Sequence, residues 1–336
     1  MADQDPKARA DYDYWIAKGI DFLNDINTYG KALFAFNKAI RLDRKSATAW
    51  AFKAYVFFCR GRHCEAAPEV IRHASSFDPE NPIVLFYNAH KLYFLEDQLL
   101  EPLALVEKAL EKWPGLAPAW VLKADIFDRL NWLEESVAAF DRAIALGYKG
   151  SYVHGQKGKV LICLCRYQEA VVAFDAAIAQ NLRHYDWWGS KAVALAKLGR
   201  YEEAVETYDK ALERCHGDHL ILYNKGVSLL RLGRYDEALQ TFDKSIEKYP
   251  KYAQAWNNKS WIFRQMGRFE DAKKASARAV EIDPDMVEPD YCTARDAAML
   301  GDKATALEYL RRLSKRVSNV DEKMNEDPAF KDFWEH

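Results

Sequence analysis

The chain has 336 residues, of which 49% are hydrophobic and 29% charged, a balance typical of a folded protein rather than a disordered one. Its 48 basic and 50 acidic residues give a formal net charge of -2, which supplies no general attraction to nucleic acids or anionic membranes. The sequence shows no apolar signal segment after Met1 and no membrane-length apolar stretch, so we expect a cytoplasmic protein. The six cysteines lie mostly inside helical patterns of a long chain, which predicts reduced residues used for packing.

The sequence repeats itself at a spacing of 34 residues. The clearest copies, 185–218 and 219–252, carry glycine, tyrosine and alanine at matched positions: Gly199 and Gly233, Tyr201 and Tyr235, Ala204 and Ala238. Within the second half of each copy, small and large apolar residues recur with a period near 3.6. This pattern predicts helices and no strand.

The same period divides most of the chain into units. In chain order we expect a polar tail at 1–12, then nine units at 13–46, 47–82, 83–116, 117–150, 151–184, 185–218, 219–252, 253–286 and 287–320, then a C-terminal helix or tail at 321–336. The pattern resembles the tetratricopeptide repeat, a helix-turn-helix unit with Trp, Leu, Gly, Tyr, Ala, Phe, Ala and Pro at fixed places. The resemblance implies an all-α, stand-alone array of about nine repeats, wound as a right-handed α-α superhelix with a C-terminal capping helix.

Two features of the early units depart from the pattern. Pro68 and Pro102 fall where the second helices of units two and three should already have begun, so we expect those helices to begin late. The corner between paired helices carries glycine in units six to nine, whereas Cys165 stands there in unit five.

In tetratricopeptide repeat proteins the first helices line a concave groove that binds a partner, and the resemblance implies that fixed positions of each unit face it. The positions we select as the binding groove are aromatic in units two and three and mostly basic later: Tyr55, Phe58, Tyr87, Lys91, Phe94, Lys197, Tyr223, Arg231, Trp261, Arg264 and Arg295. Further groove positions are Lys159, Tyr291, Asp21 and Asp25. The alternative is that the aromatic residues pack between units.

No phosphate-binding loop, dinucleotide fingerprint, zinc-protease motif or nucleophile elbow is present, and the repeats leave no long loop for a catalytic pocket. We therefore expect a scaffold without enzymatic activity or cofactor, which binds a peptide segment of another protein. The groove residues predict an acidic partner segment with apolar anchors. A self-assembling structural protein is the alternative, and an RNA-binding helical repeat is disfavoured by the neutral charge balance.

Two clusters invite a metal or redox interpretation. Cys215, His216, Asp218 and His219 lie within five residues, but so tight a cluster rarely surrounds one ion, and we expect no metal site. Cys163 and Cys165 lack the spacing of redox or zinc motifs, and we expect them to pack in the core.

A row of lysines occupies the seventh position of six units: Lys53, Lys123, Lys157, Lys191, Lys225 and Lys259. Four units carry an aspartate at one shared second-helix position: Asp141, Asp175, Asp209 and Asp243. We predict ion pairs between these two rows. The alternative is a solvated row of lysines whose stems cover apolar surface.

The C-terminal stretch carries Asp327, Pro328, Phe330, Phe333 and Trp334. A terminal repeat would otherwise expose its apolar face, so this stretch is predicted to cap the array. A tail that occupies the groove remains the alternative.

Overall fold

The computed structural model describes residues 6–23, 28–60, 67–95, 98–215, 217–316 and 327–330, without the side chains of a few of them. Within these ranges the protein has eighteen α-helices, one short 3₁₀ helix and no strand. The helices are α1 (Pro6–Leu23), α2 (Tyr29–Leu42), α3 (Ala47–Arg60), α4 (Ala67–Phe77), α5 (Pro82–Leu95), α6 (Leu100–Lys112), α7 (Ala117–Arg129), α8 (Leu133–Ala145), α9 (Ser151–Cys163), α10 (Tyr167–Gln180), α11 (Tyr185–Lys197), α12 (Tyr201–Leu212), α13 (His219–Arg231), α14 (Tyr235–Lys248), α15 (Ala253–Gln265), α16 (Phe269–Ile282), α17 (Val287–Met299) and α18 (Lys303–Ser314). The 3₁₀ helix is Pro328–Phe330.

The chain divides into two compact bodies, residues 1–182 and 183–336. The N-terminal body contains α1 to α10, and the C-terminal body contains α11 to α18 and the 3₁₀ helix. In each body, consecutive helices pack against each other in pairs, α1 with α2, α3 with α4, and so on to α17 with α18. The prediction of an all-α chain of helix-turn-helix repeats is confirmed.

Five of the nine described helix pairs are closed by a large aromatic side chain of the second helix that fills the space beside the first, whereas α16 carries Ser276 at this position. Phe36, Phe140, Phe174, Tyr208 and Phe242 occupy this position, and each is at most 1% exposed. These residues recur at the predicted spacing because one helical face must meet the partner helix over its whole length.

The expected polar tail at 1–12 is wrong for residues 6–12, which are the first turns of α1. Tyr12 packs against a cluster of buried residues that includes Ala39, Ile40 and Ala49, and its hydroxyl lies 2.6 Å from that of Ser46. Apolar contact and this hydrogen bond extend the helix beyond the repeat frame. Residues 1–5 lie outside the described part of the chain.

The first repeat also carries a one-residue shift. Gly19 faces Phe36, and a Cβ built on Gly19 would lie 2.4 Å from a carbon of that ring. In later repeats the small residue that faces the ring, such as Gly226 opposite Phe242, precedes it by 16 positions rather than 17. The 34-residue frame therefore misplaces α1 by one residue.

The late start expected at the two prolines can be checked for α6 but not for α4. α6 begins at Leu100, one residue later than α8 in the same frame, with Pro102 in its first turn. α4 is described from Ala67, with Pro68 as its second residue. Residues 61–66 lie outside the described part, so the late start of α4 stays a prediction.

The predicted pairing of the lysine row with the aspartate row is confirmed for three lysines: Lys157 with Asp141 at 2.5 Å, Lys225 with Asp209 at 2.5 Å, and Lys259 with Asp243. A fourth lysine, Lys123, meets Glu107 at 2.9 Å, a glutamate at the equivalent position of its repeat. In all four pairs the carboxylate lies on the second helix of the preceding repeat. The carboxylates are about half exposed, so each pair contributes about 0 to 1 kcal/mol. The pairs connect neighbouring repeats.

The C-terminal segment packs on the last repeat where the structure describes it. Phe330 is fully buried against Ala294, Leu310 and Leu313. The Tyr291 hydroxyl donates a hydrogen bond of 2.8 Å to Asp327. This contact supports the capping prediction for residues 327–330, and the rest of 321–336 lies outside the described residues.

The corner between paired helices requires a left-handed backbone. Gly199, Gly233, Gly267 and Gly301 have φ between 72° and 77°, whereas Asn131 and Cys165 hold the same position with φ of 61° and 57°. Cys163 and Cys165 are both exposed, so the expectation that they pack in the core is wrong. Cys165 lies at the tip of a turn, where its side chain points away from the core.

Replacing Cys165 with glycine is expected to raise the free energy of unfolding by about 0.5–1 kcal/mol, because a side chain with a Cβ is strained in the left-handed region. Urea denaturation of the full chain measures the change. The matched control is Gly199→Cys at the equivalent corner, where a built Cβ meets nothing within 4 Å and the cost is that of the backbone alone. A destabilised Cys165→Gly variant would contradict the argument.

Candidate functional site

A cavity of about 180 Å³ lies in the N-terminal body among the first helices of four repeats. Its lining consists of six phenylalanine or tyrosine residues, one histidine, one aspartate and three aliphatic residues: Tyr29, Tyr55, Phe86, His90, Phe94, Pro118, Val121, Leu122, Asp125, Tyr148 and Tyr152. We call it the aromatic cavity. Its walls come from α3, α5, α7 and α9, with Tyr29 at the start of α2 and Tyr148 in the loop before α9.

Helical spacing explains the wall that α5 forms. Phe86, His90 and Phe94 recur every four residues, which places their side chains one above another on one face. The ring centroids of His90 and Phe94 are 4.3 Å apart, and those of Phe86 and His90 are 6.0 Å apart. The Tyr55 ring of α3 continues this row at 5.3 Å from Phe86. Phe94 remains 52% exposed at the end of the row.

Asp125 of α7 supplies the one carboxylate among the residues that line the aromatic cavity. Its side chain is buried, and Oδ1 accepts a hydrogen bond of 3.1 Å from the Tyr152 hydroxyl, which in turn accepts one of 3.3 Å from Gln156 Nε2. Burial raises the pKa of Asp125 to about 7, because desolvation disfavours the charged carboxylate and the nearby Asp128 adds repulsion. Burial also lowers the pKa of His90 to about 4, so this imidazole is neutral at pH 7.

Only part of the predicted aromatic groove lines this cavity. Tyr55 and Phe94 do so, but Tyr87 is 3% exposed and burial raises the pKa of its phenol to about 12. The Tyr87 ring is therefore part of the core, as the alternative interpretation held. Lys91 is half-buried on α5, and the side chain of Phe58 lies outside the described residues.

Asp125 and Tyr152 line the aromatic cavity but are not among the predicted groove residues, although both occupy groove positions of their repeats. Asp125 is the ninth residue of its unit and Tyr152 the second, which are positions that the family resemblance already assigns to the groove. The signal was a carboxylate at a groove position in an otherwise aromatic region. Asp21, the acidic groove position in α1, is exposed, and Asp25 lies outside the described residues.

A second concavity, of about 280 Å³, lies in the C-terminal body and is lined by Trp261, Arg264, Gln265, Phe269, Arg295 and Met299. Three of these are predicted groove residues. Arg264 makes a two-pronged contact with the fully buried Asp296, at 2.7 and 2.9 Å. Arg295 lies 3.3 Å from Asp327 of the C-terminal segment. Both guanidinium groups therefore already face carboxylates of this chain.

The remaining predicted residues of the C-terminal body differ in exposure. Lys197 and Arg231 are exposed at the ends of α11 and α13. Tyr223 is half-buried, and its hydroxyl accepts a hydrogen bond of 3.1 Å from Asn258 while its ring contacts Phe242 and Tyr252. Basic side chains that reach solvent are thus fewer than the sequence indicated.

The metal-like cluster has a structural explanation in its described part. Asp218 is the N-cap of α13, and its carboxylate accepts hydrogen bonds from the amides of Leu220 and Ile221 at 2.8 and 3.2 Å. The His219 ring lies 5.0 Å from Tyr249. His216 lies outside the described residues. Across the described ranges, no group of three or more histidine, cysteine or acidic side chains is arranged to hold a metal ion.

The successive helix pairs within each body define a helical-repeat protein. Family models described as tetratricopeptide repeat match residues 117–146, 185–249 and 223–287. These stretches of the chain therefore match tetratricopeptide repeats, and the helix pairs of the other described repeats follow the same helix-turn-helix pattern. Comparison with curated proteins gave no match.

Solved structures agree with this assignment at the level of the fold. The C-terminal part of a TPR repeat-containing protein from Cytophaga hutchinsonii is 15% identical over 70% of this chain and 98% of that one, with a TM-score of 0.61. A tetratricopeptide repeat protein from Parabacteroides merdae is 14% identical over 71% and 95%, with a TM-score of 0.54. The APC/C hetero-tetramer Cut9-Hcn1 gives 13% identity over 80% and 52%, with a TM-score of 0.53. Among the helices described, none has the length and apolarity to span a membrane.

The buried Asp125 is expected to make stability depend on pH. Its pKa is about 3.9 in an unfolded chain but about 7 in the folded protein, so the folded state holds the proton more tightly. The resulting stabilisation is present at low pH and is lost as the pH rises from about 4 through about 7. Asp125→Asn should therefore raise the unfolding midpoint at pH 8 and change it little at pH 5.

The difference at pH 8 should be at most a few kcal/mol, since one pKa unit corresponds to about 1.4 kcal/mol. Urea denaturation at the two pH values measures it. Asp236→Asn, at an exposed aspartate of α14, is the matched control. It should have the same effect on the unfolding midpoint at both pH values. An equal effect of Asp125→Asn at both pH values would contradict the raised pKa.

Proposed function

We propose that this protein is a non-enzymatic scaffold that binds a segment of another protein along the first helices of its repeats. The observation that carries the proposal is the aromatic cavity, because side chains from successive first helices converge there around a space that the fold itself leaves open. Repeats that hold their cores between paired helices leave these positions for a ligand. The match to tetratricopeptide repeat models favours protein binding over catalysis.

The chemistry of the lining suggests what the partner segment carries. Phe94 is half exposed at the aromatic cavity and provides a ring for an apolar side chain of the partner, which binds with little loss of side-chain entropy. In the C-terminal body, the exposed Lys197 and Arg231 would meet acidic residues of a partner. Arg264 and Arg295 contribute less to such contacts, because Asp296 and Asp327 already neutralise them.

The apolar contact is tested by selecting binding peptides from a random displayed library against the full chain and measuring their affinity for variants. Phe94→Ala is expected to weaken binding at least tenfold, a loss of about 1.4 kcal/mol or more, because the partner loses its aromatic contact. Phe77→Ala is the matched control, since Phe77 is an exposed phenylalanine on α4 that does not line the aromatic cavity. Equal affinities of the two variants, with both folds intact, would refute the proposed surface.

The basic contact is tested by the double variant Lys197→Ala and Arg231→Ala. For acidic peptides, the association rate should fall at low salt, and the difference from the wild type should shrink as salt screens the charges. Lys244→Ala with Lys274→Ala removes the same charge from exposed positions of α14 and α16 and serves as the control. An equal loss of association rate in both double variants would show a general charge effect rather than a site.

A further inference from the structure

The aromatic cavity has the size of a side-chain pocket. Its volume of about 180 Å³ lies below the range of about 300–1,000 Å³ that is usual for small-molecule sites. A cofactor or drug-sized metabolite would not fit within it. One long side chain of a bound segment is an occupant of suitable size, with Phe94 exposed beside it.

The walls and the base of the cavity favour a positive charge. The rings of Tyr55, Phe94 and Tyr152 belong to three different helices, and aromatic faces attract a cation placed over them. Asp125 contributes a buried carboxylate. The neutral His90 adds no positive charge at pH 7, because burial keeps its pKa at about 4. The nearby Arg129 lies over the Tyr93 ring, at 5.2 Å from its centre.

Asp125 differs from the other buried aspartates of the described residues because it has no basic partner. Within the described residues, three aspartates are buried: Asp125, Asp290 and Asp296. Asp296 holds Arg264 in a two-pronged contact, and Asp290 lies 3.0 Å from Arg316 and 3.7 Å from Arg312. Asp125 has the Tyr152 hydroxyl as its hydrogen-bond donor, and no ion pair of the described part of the chain reaches it. A buried carboxylate without a cation is costly, and a guanidinium group supplied by a ligand would remove that cost.

We infer that the aromatic cavity is a pocket for an arginine side chain of the partner segment, with Asp125 as the counter-ion at its base and the surrounding rings as its walls. Arginine suits this site better than lysine, because its planar group can contact a carboxylate with two N–H donors, stacks on aromatic rings and is more weakly hydrated than an ammonium group. Tyr152 positions the Asp125 carboxylate through its own hydrogen bond. This inference rests on the proposed function and specifies which side chain enters the cavity.

The test uses the full chain and N-acetyl-L-arginine methylamide as the probe, with the lysine and citrulline analogues as the cationic and neutral comparisons. Saturation-transfer NMR titrations measure the affinities and show whether the probe's side-chain methylenes lie against aromatic protons. We expect the arginine probe to bind, the lysine probe to bind several-fold more weakly, and the citrulline probe to bind at least tenfold more weakly. Asp125→Asn should reduce the arginine affinity at least tenfold.

Two controls keep the test specific. Asp236→Asn removes an equal charge from an exposed position and should leave the arginine affinity unchanged. The arginine probe should also raise the unfolding temperature of the wild type and of Asp236→Asn, but not that of Asp125→Asn. Equal binding of arginine and citrulline, or an arginine affinity that Asp125→Asn leaves intact, would overturn the inference. Equal binding of arginine and lysine would overturn the choice of arginine.

The outcome is separable from that of the scaffold proposal. If selected peptides bind through Phe94 but Asp125→Asn has no effect on them or on the arginine probe, the scaffold stands and the arginine pocket is wrong. If the arginine probe binds in an Asp125-dependent way while the library yields no peptide that depends on Phe94, the pocket stands and the proposed binding surface is wrong.

Discussion

The close approach of the two helices in each repeat is the constraint on which the rest of the structure depends. Gly158 faces Phe174 and Gly226 faces Phe242 so closely that a Cβ on either glycine would lie within 2.8 Å of a ring carbon. Each ring is fully buried, and removing such a ring typically costs about 3–5 kcal/mol. Because this contact uses one face of the first helix, the other faces remain for the neighbouring repeat and for the surface that lines the aromatic cavity.

Charge is arranged by a second rule, which connects one repeat to the next. The lysine row reaches back to the preceding second helix, and Arg264 reaches forward to Asp296 in the following first helix. The exposed pairs contribute little individually, whereas a buried pair such as Arg264 with Asp296 would be costly to break, because one charge would be left without a partner. Contacts between neighbouring repeats thus supply the basic partners of buried carboxylates such as Asp296. Asp125 is an exception, because no ion pair of the described residues reaches it.

Most of the fold follows from the sequence, because most repeats close their helix pair with a small residue facing a large one at the same positions. The period therefore predicts the eighteen α-helices of the described residues, the corner glycines and the lysine pairing. It fails at α1, where the contacts of Tyr12 and the shift at Gly19 come from tertiary structure at the end of the array. The site was less predictable: a groove position such as that of Tyr87 is buried or exposed according to neighbouring side chains, and Arg264 looks available until Asp296 is placed beside it.

The departures from the repeat pattern collect around the aromatic cavity. His90 replaces the small residue that other repeats place near the ring of their second helix, and Asp125 is a carboxylate buried without a basic partner in the described part of its body. Both residues carry a desolvation cost, which lowers the pKa of His90 and raises that of Asp125. Residues that are unfavourable for stability in an otherwise regular repeat protein tend to occur where they take part in binding. Both exceptions line one cavity, and the proposed arginine side chain of a partner segment would give them a common cause.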